Sequence, residues 1–245
     1  MADRRITLTV ISASMALLAG CASQVTAPLE VARREPAEFP GAHYRALLMQ
    51  GKPVFRVDSA RSLVVIEVRR AGPFAQFGHD HVVASHDTSG SIAPEEGRAD
   101  LWVPLNALVV DEPLLRAEAG FDTQPSSDAI AGTRRNMFER VLETELYPHA
   151  LVAVNDIGAA GSAQRLRVTI TLHGTTRSVD TEAKVEKTAD EVSVTGIFAI
   201  DQSRFGIAPF SILGGAIAVQ DRVNITFRIH AHRVGQPARQ PGAFM

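Results

Sequence analysis

Arg165-Leu166-Arg167-Val168-Thr169-Ile170-Thr171-Leu172-His173 is the stretch whose reading decides the fold. Its four aliphatic residues fall on every second position, and the positions between them are charged or polar. Successive side chains of an extended strand point to opposite faces, so this pattern gives a strand with one apolar and one wet face. The same period returns in 222–232. There Val223, Ile225, Phe227 and Ile229 face one way, and Arg222, Asn224, Thr226, Arg228 and His230 the other.

Working outward, short segments of strand character occupy 54–58, 62–70, 81–86, 99–105, 150–157, 178–187 and 191–200. His173-Gly174-Thr175 and Thr188-Ala189-Asp190 are placed as hairpin turns, which pairs consecutive strands antiparallel. One helix interrupts the series. Ser126 or Ser127 can cap it, Asp128 suits its first turn, Ile130, Met137, Phe138, Val141 and Leu142 recur on one face, and Tyr147-Pro148 ends it. Many short strands mean a sandwich or a barrel, and periodicity alone does not choose between them.

The termini read differently. Arg4 and Arg5 precede an apolar run over 6–18, too short to span a bilayer, and Leu18-Ala19-Gly20-Cys21 resembles the bacterial lipobox. The expected division is a lipoprotein signal peptide over 1–20, lipid on Cys21, a tether over 21–52, a barrel domain over 53–233 and a tail over 234–245. Within the tether, 44–49 has the composition of a short helix on the domain. Cys21 is the single cysteine, so no intramolecular disulfide is available and the core alone must stabilise the fold. A net charge of -2 argues against a nucleic-acid partner and against strong attraction to anionic lipid. Membrane contact is expected through the acyl chains. The resemblance implies the periplasmic side of the bacterial envelope, and Ala22 after the cysteine, rather than Asp, favours the outer membrane.

Several local motifs, in order, resemble those of the YceI-like proteins. They are Phe55-Arg56-Val57-Asp58 with Ser62 opening the second strand, Gly90 in Ser89-Gly90-Ser91-Ile92, and Leu146-Tyr147-Pro148 after the helix. Leu172-His173-Gly174-Thr175-Thr176-Arg177, Asp201-Gln202-Ser203-Arg204-Phe205-Gly206-Ile207 and Asp221-Arg222-Val223 follow, and the likeness spans roughly 54–232. The resemblance implies an all-β, lipocalin-like antiparallel barrel of about eight strands with one inserted helix. It also implies a polyisoprenoid-type ligand, polyprenyl or quinone-like, inside that barrel. Such a chain gains about 0.8 kcal/mol for each methylene withdrawn from water, so a deep apolar slot supplies affinity with few polar contacts. Ile170, Phe198, Phe210, Ile225 and Phe227 are candidate lining residues, with ordinary core packing as the alternative for each.

The chain departs from the family pattern at Phe77-Gly78-His79-Asp80-His81. In an extended segment His79 and His81 share a face while Asp80 points away. Three readings stand at this point. The imidazoles brace a strand end; or they hydrogen-bond a ligand head group, with His173 in reach; or they hold a metal, with His86 or His173 as a third ligand. Arg134 and Arg135 are further candidates for an anionic head group, with an exposed basic helix face as the alternative. His230 and His232 are expected in solvent. No nucleophile elbow, zinc-protease motif or phosphate loop occurs, so a binding protein without a required cofactor is expected, with a metal-binding protein or metal-dependent enzyme built on His79 and His81 as the alternative.

Overall fold

A computed structural model describes residues 34–121, 123–157 and 163–235. The signal segment, Cys21 and residues 236–245 lie outside the described residues. Eight strands close into one antiparallel barrel. Three of them are interrupted. Strand β1 is Phe55–Val57 resumed at Leu63–Val68, β2 is His81–Ser85 resumed at Ser89–Ala93, and β3 is Arg98–Pro104 resumed at Val109–Val110. The others run through: β4 His149–Asn155, β5 Ala163–Leu172, β6 Thr175–Lys187, β7 Glu191–Asp201 and β8 Arg222–Arg233. Each pairs with its sequence neighbour, and β8 returns to β1 through Ala231↔Val57 and Ile225↔Ile66. Closure removes the free edges that an open sheet would present.

Local chemistry explains the break in β1. Asp58 accepts from the Ala60 N–H at 3.1 Å, and the Ser62 hydroxyl donates to the Asp58 carbonyl at 2.7 Å while accepting from the His230 N–H at 3.0 Å. The strand therefore bends without leaving its partner β8. At the β5–β6 hairpin, Leu172 pairs with Thr175 and both central residues are left-handed, His173 at φ 51° and Gly174 at φ 69°. That is the two-residue turn whose twist matches the flanking strands.

The alternation of 166–172 and 223–229 puts Leu166, Val168, Ile170, Leu172, Val223, Ile225, Phe227 and Ile229 inside the barrel. Phe55, Ile157, Val192 and Ala231, all buried, belong to the core at the end where β8 finishes. The other end is the mouth, reached by the β1–β2, β3–β4, β5–β6 and β7–β8 connections.

The expected helix forms as α3, with α1 and α2 before it. Helix α1 is Gly41–Met49, α2 is Pro113–Glu118 and α3 is Ser127–Asn136, continued as a π-helical turn over Met137–Val141. Ser126 caps α3, its hydroxyl accepting from the Ala129 N–H at 3.2 Å. The helix stops earlier than Tyr147-Pro148 implies: Glu143 turns left-handed at φ 46°, and its carbonyl accepts from Leu146 and Tyr147.

Part of the expected tether is structural. Phe39, Tyr44 and Leu47 are buried with Val54, Ala93 and Trp102, and the Tyr44 hydroxyl donates to Asp100 at 2.7 Å. Trp102 and Leu151 pair directly across β3 and β4, alternating with the inward Leu101 and Val152, so α1 covers the outer wall there. The short helix expected over 44–49 is the C-terminal part of α1, which begins earlier, at Gly41 after Pro40. Ser89–Ala93, Val109–Val110 and Pro113–Glu118 were not expected as elements. Two are too short to show a period, and Ser-Gly-Ser lacks the branched residues that mark strands.

Candidate functional site

The barrel encloses a cavity of about 350 Å³. Its wall is made by inward residues from all eight strands, and its roof by the two long connections at the mouth. From the interruption within β3 come Leu105 and Leu108, and from the β3–β4 connection Thr133, Asn136, Met137, Val141 and Leu142; from β7–β8 come Gln202, Ile207, Phe210 and Val219. Helix α3 thus lies across the opening, with its π-helical turn against the cavity. There the Leu142 N–H reaches back to the Met137 carbonyl at 2.8 Å, a local widening of a kind often found where a helix meets a functional site.

All five candidate lining residues, Ile170, Phe198, Phe210, Ile225 and Phe227, face this space. Phe198 and Phe227 sit with ring centroids 6.0 Å apart on the neighbouring strands β7 and β8. Gly196 makes room for them: a Cβ there would stand 2.6 Å from Phe227 Cζ. Among the described residues the wall contains no lysine, arginine, aspartate or glutamate, and its polar side chains are those of His81, Ser85, Thr88, Thr133, Asn136 and Gln202.

Of the histidines, His81 reaches the cavity. His79 comes beside it, the two rings 6.3 Å apart and nearly perpendicular, but does not line the cavity; its Nδ1 is buried with no hydrogen-bond partner. Asp80 points away as alternation requires, accepting from the Arg70 N–H at 2.8 Å. His86 is drawn off by Glu112, at 2.8 Å, and His173 by Glu143, at 2.6 Å, with the Tyr147 ring tilted against the His173 ring, centroids 4.3 Å apart. His173 therefore braces the mouth-end hairpin and joins neither His79 nor the cavity wall. The metal set His79, His81 and His86 does not assemble, and among the described residues no three His, Cys, Asp or Glu side chains gather as a metal site. Arg134 lies over the Phe138 ring at 4.7 Å, and neither it nor Arg135 lines the cavity.

The support behind His81 was not foreseen from sequence. His81 Nδ1 is 2.7 Å from Asp111 Oδ2, and the other oxygen of that fully buried carboxylate accepts from the Val82 N–H at 3.0 Å and from Arg116 at 2.5 Å. Burial opposes the charge on Asp111, but the hydrogen bonds from His81, Val82 and Arg116 outweigh it and hold the carboxyl below its ordinary pKa. Arg116, 1% exposed, also donates to the Asp80 carbonyl at 2.6 Å and to the carbonyl and hydroxyl of Thr123. Asp111 adopts φ 58°, a conformation that Asp tolerates better than most residues. With Nδ1 engaged by Asp111, the ring orientation of His81 is set and Nε2 is the nitrogen left for a ligand. Arg116 lies on a six-residue helix with no sequence signal of burial, and that signal exists only in the tertiary packing.

A closed up-and-down barrel of eight strands around an apolar cavity has room for one apolar ligand. The YceI-like domain model matches residues 55–231, and the chain belongs to the YceI-like family. Among solved structures, a polyisoprenoid-binding domain from Saccharophagus degradans implicated in plant cell wall breakdown is 17% identical, with a TM-score of 0.54 over 74% of this chain and 99% of that one. BcnA from Burkholderia cenocepacia is 18% identical, with a TM-score of 0.51 over 71% of this chain and 98% of that one. At these identities the likeness concerns the fold. No curated protein matches the chain.

Proposed function

We propose that this protein binds an isoprenoid or related amphiphilic lipid, of polyprenyl or quinone type, with its tail in the barrel. The cavity of about 350 Å³ with its aliphatic and phenylalanine wall carries the reading, since burying hydrocarbon there releases water from both surfaces. The polar head would lie at the His81 end of the cavity, with His79 beside it. The binding domain of Saccharophagus degradans, with the same fold, supports an isoprenoid as the ligand class. We place the protein on the periplasmic side of the envelope, held by lipid on Cys21 and more specifically at the outer membrane. Lipid extraction and mass spectrometry of the purified protein test this reading. A polyprenyl species should co-purify with the natural chain and be lost from Ile225→Trp, which fills the cavity from β8 while the circular dichroism stays unchanged. A natural chain that extracts no isoprenoid and takes up none when offered refutes the reading.

A further inference from the structure

The nine large apolar side chains exposed among the described residues are unevenly placed. Four of them gather beside the mouth: Phe74 at 50%, Phe77 at 71%, Ile212 at 43% and Leu213 at 72% exposed. They are carried by two connections stitched together by a minor sheet of Arg70–Ala71, Ile217–Val219 and Ser211–Ile212. Ala71 pairs with Ala218 and Ile212 with Ile217, and the Phe74 N–H donates to the Ala216 carbonyl at 2.8 Å. Phe74 and Phe77 have ring centroids 6.2 Å apart, edge to face. Exposed aromatic and aliphatic groups in such a group are costly in water and mark a contact surface.

This patch continues into the cavity. Val219, in the same minor sheet, lines the cavity and donates its N–H to the Phe210 carbonyl at 3.0 Å, and Phe210 lines it too. An apolar path therefore runs from the barrel interior through Phe210 and Val219 to Ile212, Leu213, Phe74 and Phe77 on the outside. A run of apolar side chains from the cavity wall to the surface suits a hydrocarbon chain sliding out of a bilayer, with the Arg140 guanidinium 5.5 Å from the Phe210 ring beside it.

We propose that the mouth docks on a lipid bilayer through Phe74, Phe77, Ile212 and Leu213, so that the ligand passes between bilayer and barrel without crossing water. The proposal rests on the ligand reading above. The geometry of anchoring allows it. The fourteen residues from Cys21 to Arg34, thirteen steps of the chain, reach at most about 45 Å when extended. The barrel is roughly 30 Å tall, from the eleven residues of β7 at about 3.3 Å each and a tilt near 40°. An anchor that enters beside α1, on the outer wall, is long enough to let the mouth turn to the membrane that holds it. Because the patch is apolar and the net charge is -2, docking should be the same on neutral and on anionic lipid.

The test uses the lipidated full-length protein in phosphatidylcholine vesicles, with and without phosphatidylglycerol. Cys21 is the only native cysteine, so an introduced thiol is the one free for labelling. A nitrobenzoxadiazole probe is placed in turn at Phe77→Cys and Leu213→Cys, and at the exposed controls Met49→Cys and Ile197→Cys. Brominated acyl chains should quench the first pair at least threefold more than the second, in both lipid compositions. Equal quenching at all four positions, or quenching only with phosphatidylglycerol, overturns the proposal. Phe74→Ser with Phe77→Ser and Leu213→Ser should slow transfer of a fluorescent polyprenol between vesicles at least fivefold while leaving the amount bound at equilibrium unchanged. Absence of equilibrium binding in the unsubstituted protein would count against the ligand reading, whereas a quenching pattern without the rim preference counts against docking alone.

Discussion

Arg116→Met tests the network that orients His81. The guanidinium makes four hydrogen bonds, to the Asp80 carbonyl, to Asp111 and to the carbonyl and hydroxyl of Thr123. Hydrogen bonds to charged groups contribute about 1.5–3 kcal/mol each, and four would give about 6–12 kcal/mol before any cost. Withdrawing the guanidinium from water costs several kcal/mol, so the net effect is smaller. What dominates in the variant is the Asp111 carboxylate, with its side chain fully buried and only His81 and the Val82 N–H left to it. Breaking one side of such a pair costs about 3–5 kcal/mol. For a domain of this size that is a fall in Tm of roughly 6–20 °C, to be read by far-UV circular dichroism during heating. Asp111→Asn in the same chain removes the stranded charge, keeps a residue suited to φ 58°, and should restore part of the loss. A single variant that loses less than about 1 kcal/mol, or a double variant no more stable than the single one, refutes the account.

The same carboxylate sets a pH dependence. Its folded pKa lies below the ordinary value, so its contribution is present above the ordinary carboxylate pKa and is lost as pH falls through the folded one; urea midpoints taken down this range should decline, and less steeply in Asp111→Asn. Gly90→Ala should destabilise the barrel by about 2–4 kcal/mol, because Gly90 has φ 151° and a Cβ would stand 2.3 Å from the Asp100 carbonyl oxygen and 2.7 Å from Leu101 Cα, both backbone. An unfolding midpoint unchanged from the natural chain would show that β2 and β3 can separate freely there. Cys21→Ser should leave unprocessed precursor on immunoblots, since a hydroxyl cannot form the thioether; correctly cleaved soluble protein from that variant would defeat the anchoring proposal.

The strand faces were legible without coordinates. Leu166 to Leu172 and Val223 to Ile229 declare their inward sides because a strand's side-chain period is two, a property of adjacent residues. The Ser126 cap and the His173-Gly174 hairpin are equally local, each being chemistry within a few residues. The gathering of Phe198, Phe210 and Phe227 around one cavity follows from faces once the sheet is known to close, but closure itself lies in the pairing of β8 with β1, more than 150 residues apart. Periodicity does not encode that distance. The histidines make the same point: spacing brings His79 beside His81, yet only the tertiary structure sends His81 to the cavity, His86 to Glu112 and His173 to Glu143. Asp111 and Arg116 were invisible for a related reason. An aspartate and an arginine in a connection read as solvated until packing removes the water around both, and whether water is removed depends on the elements that fold over them.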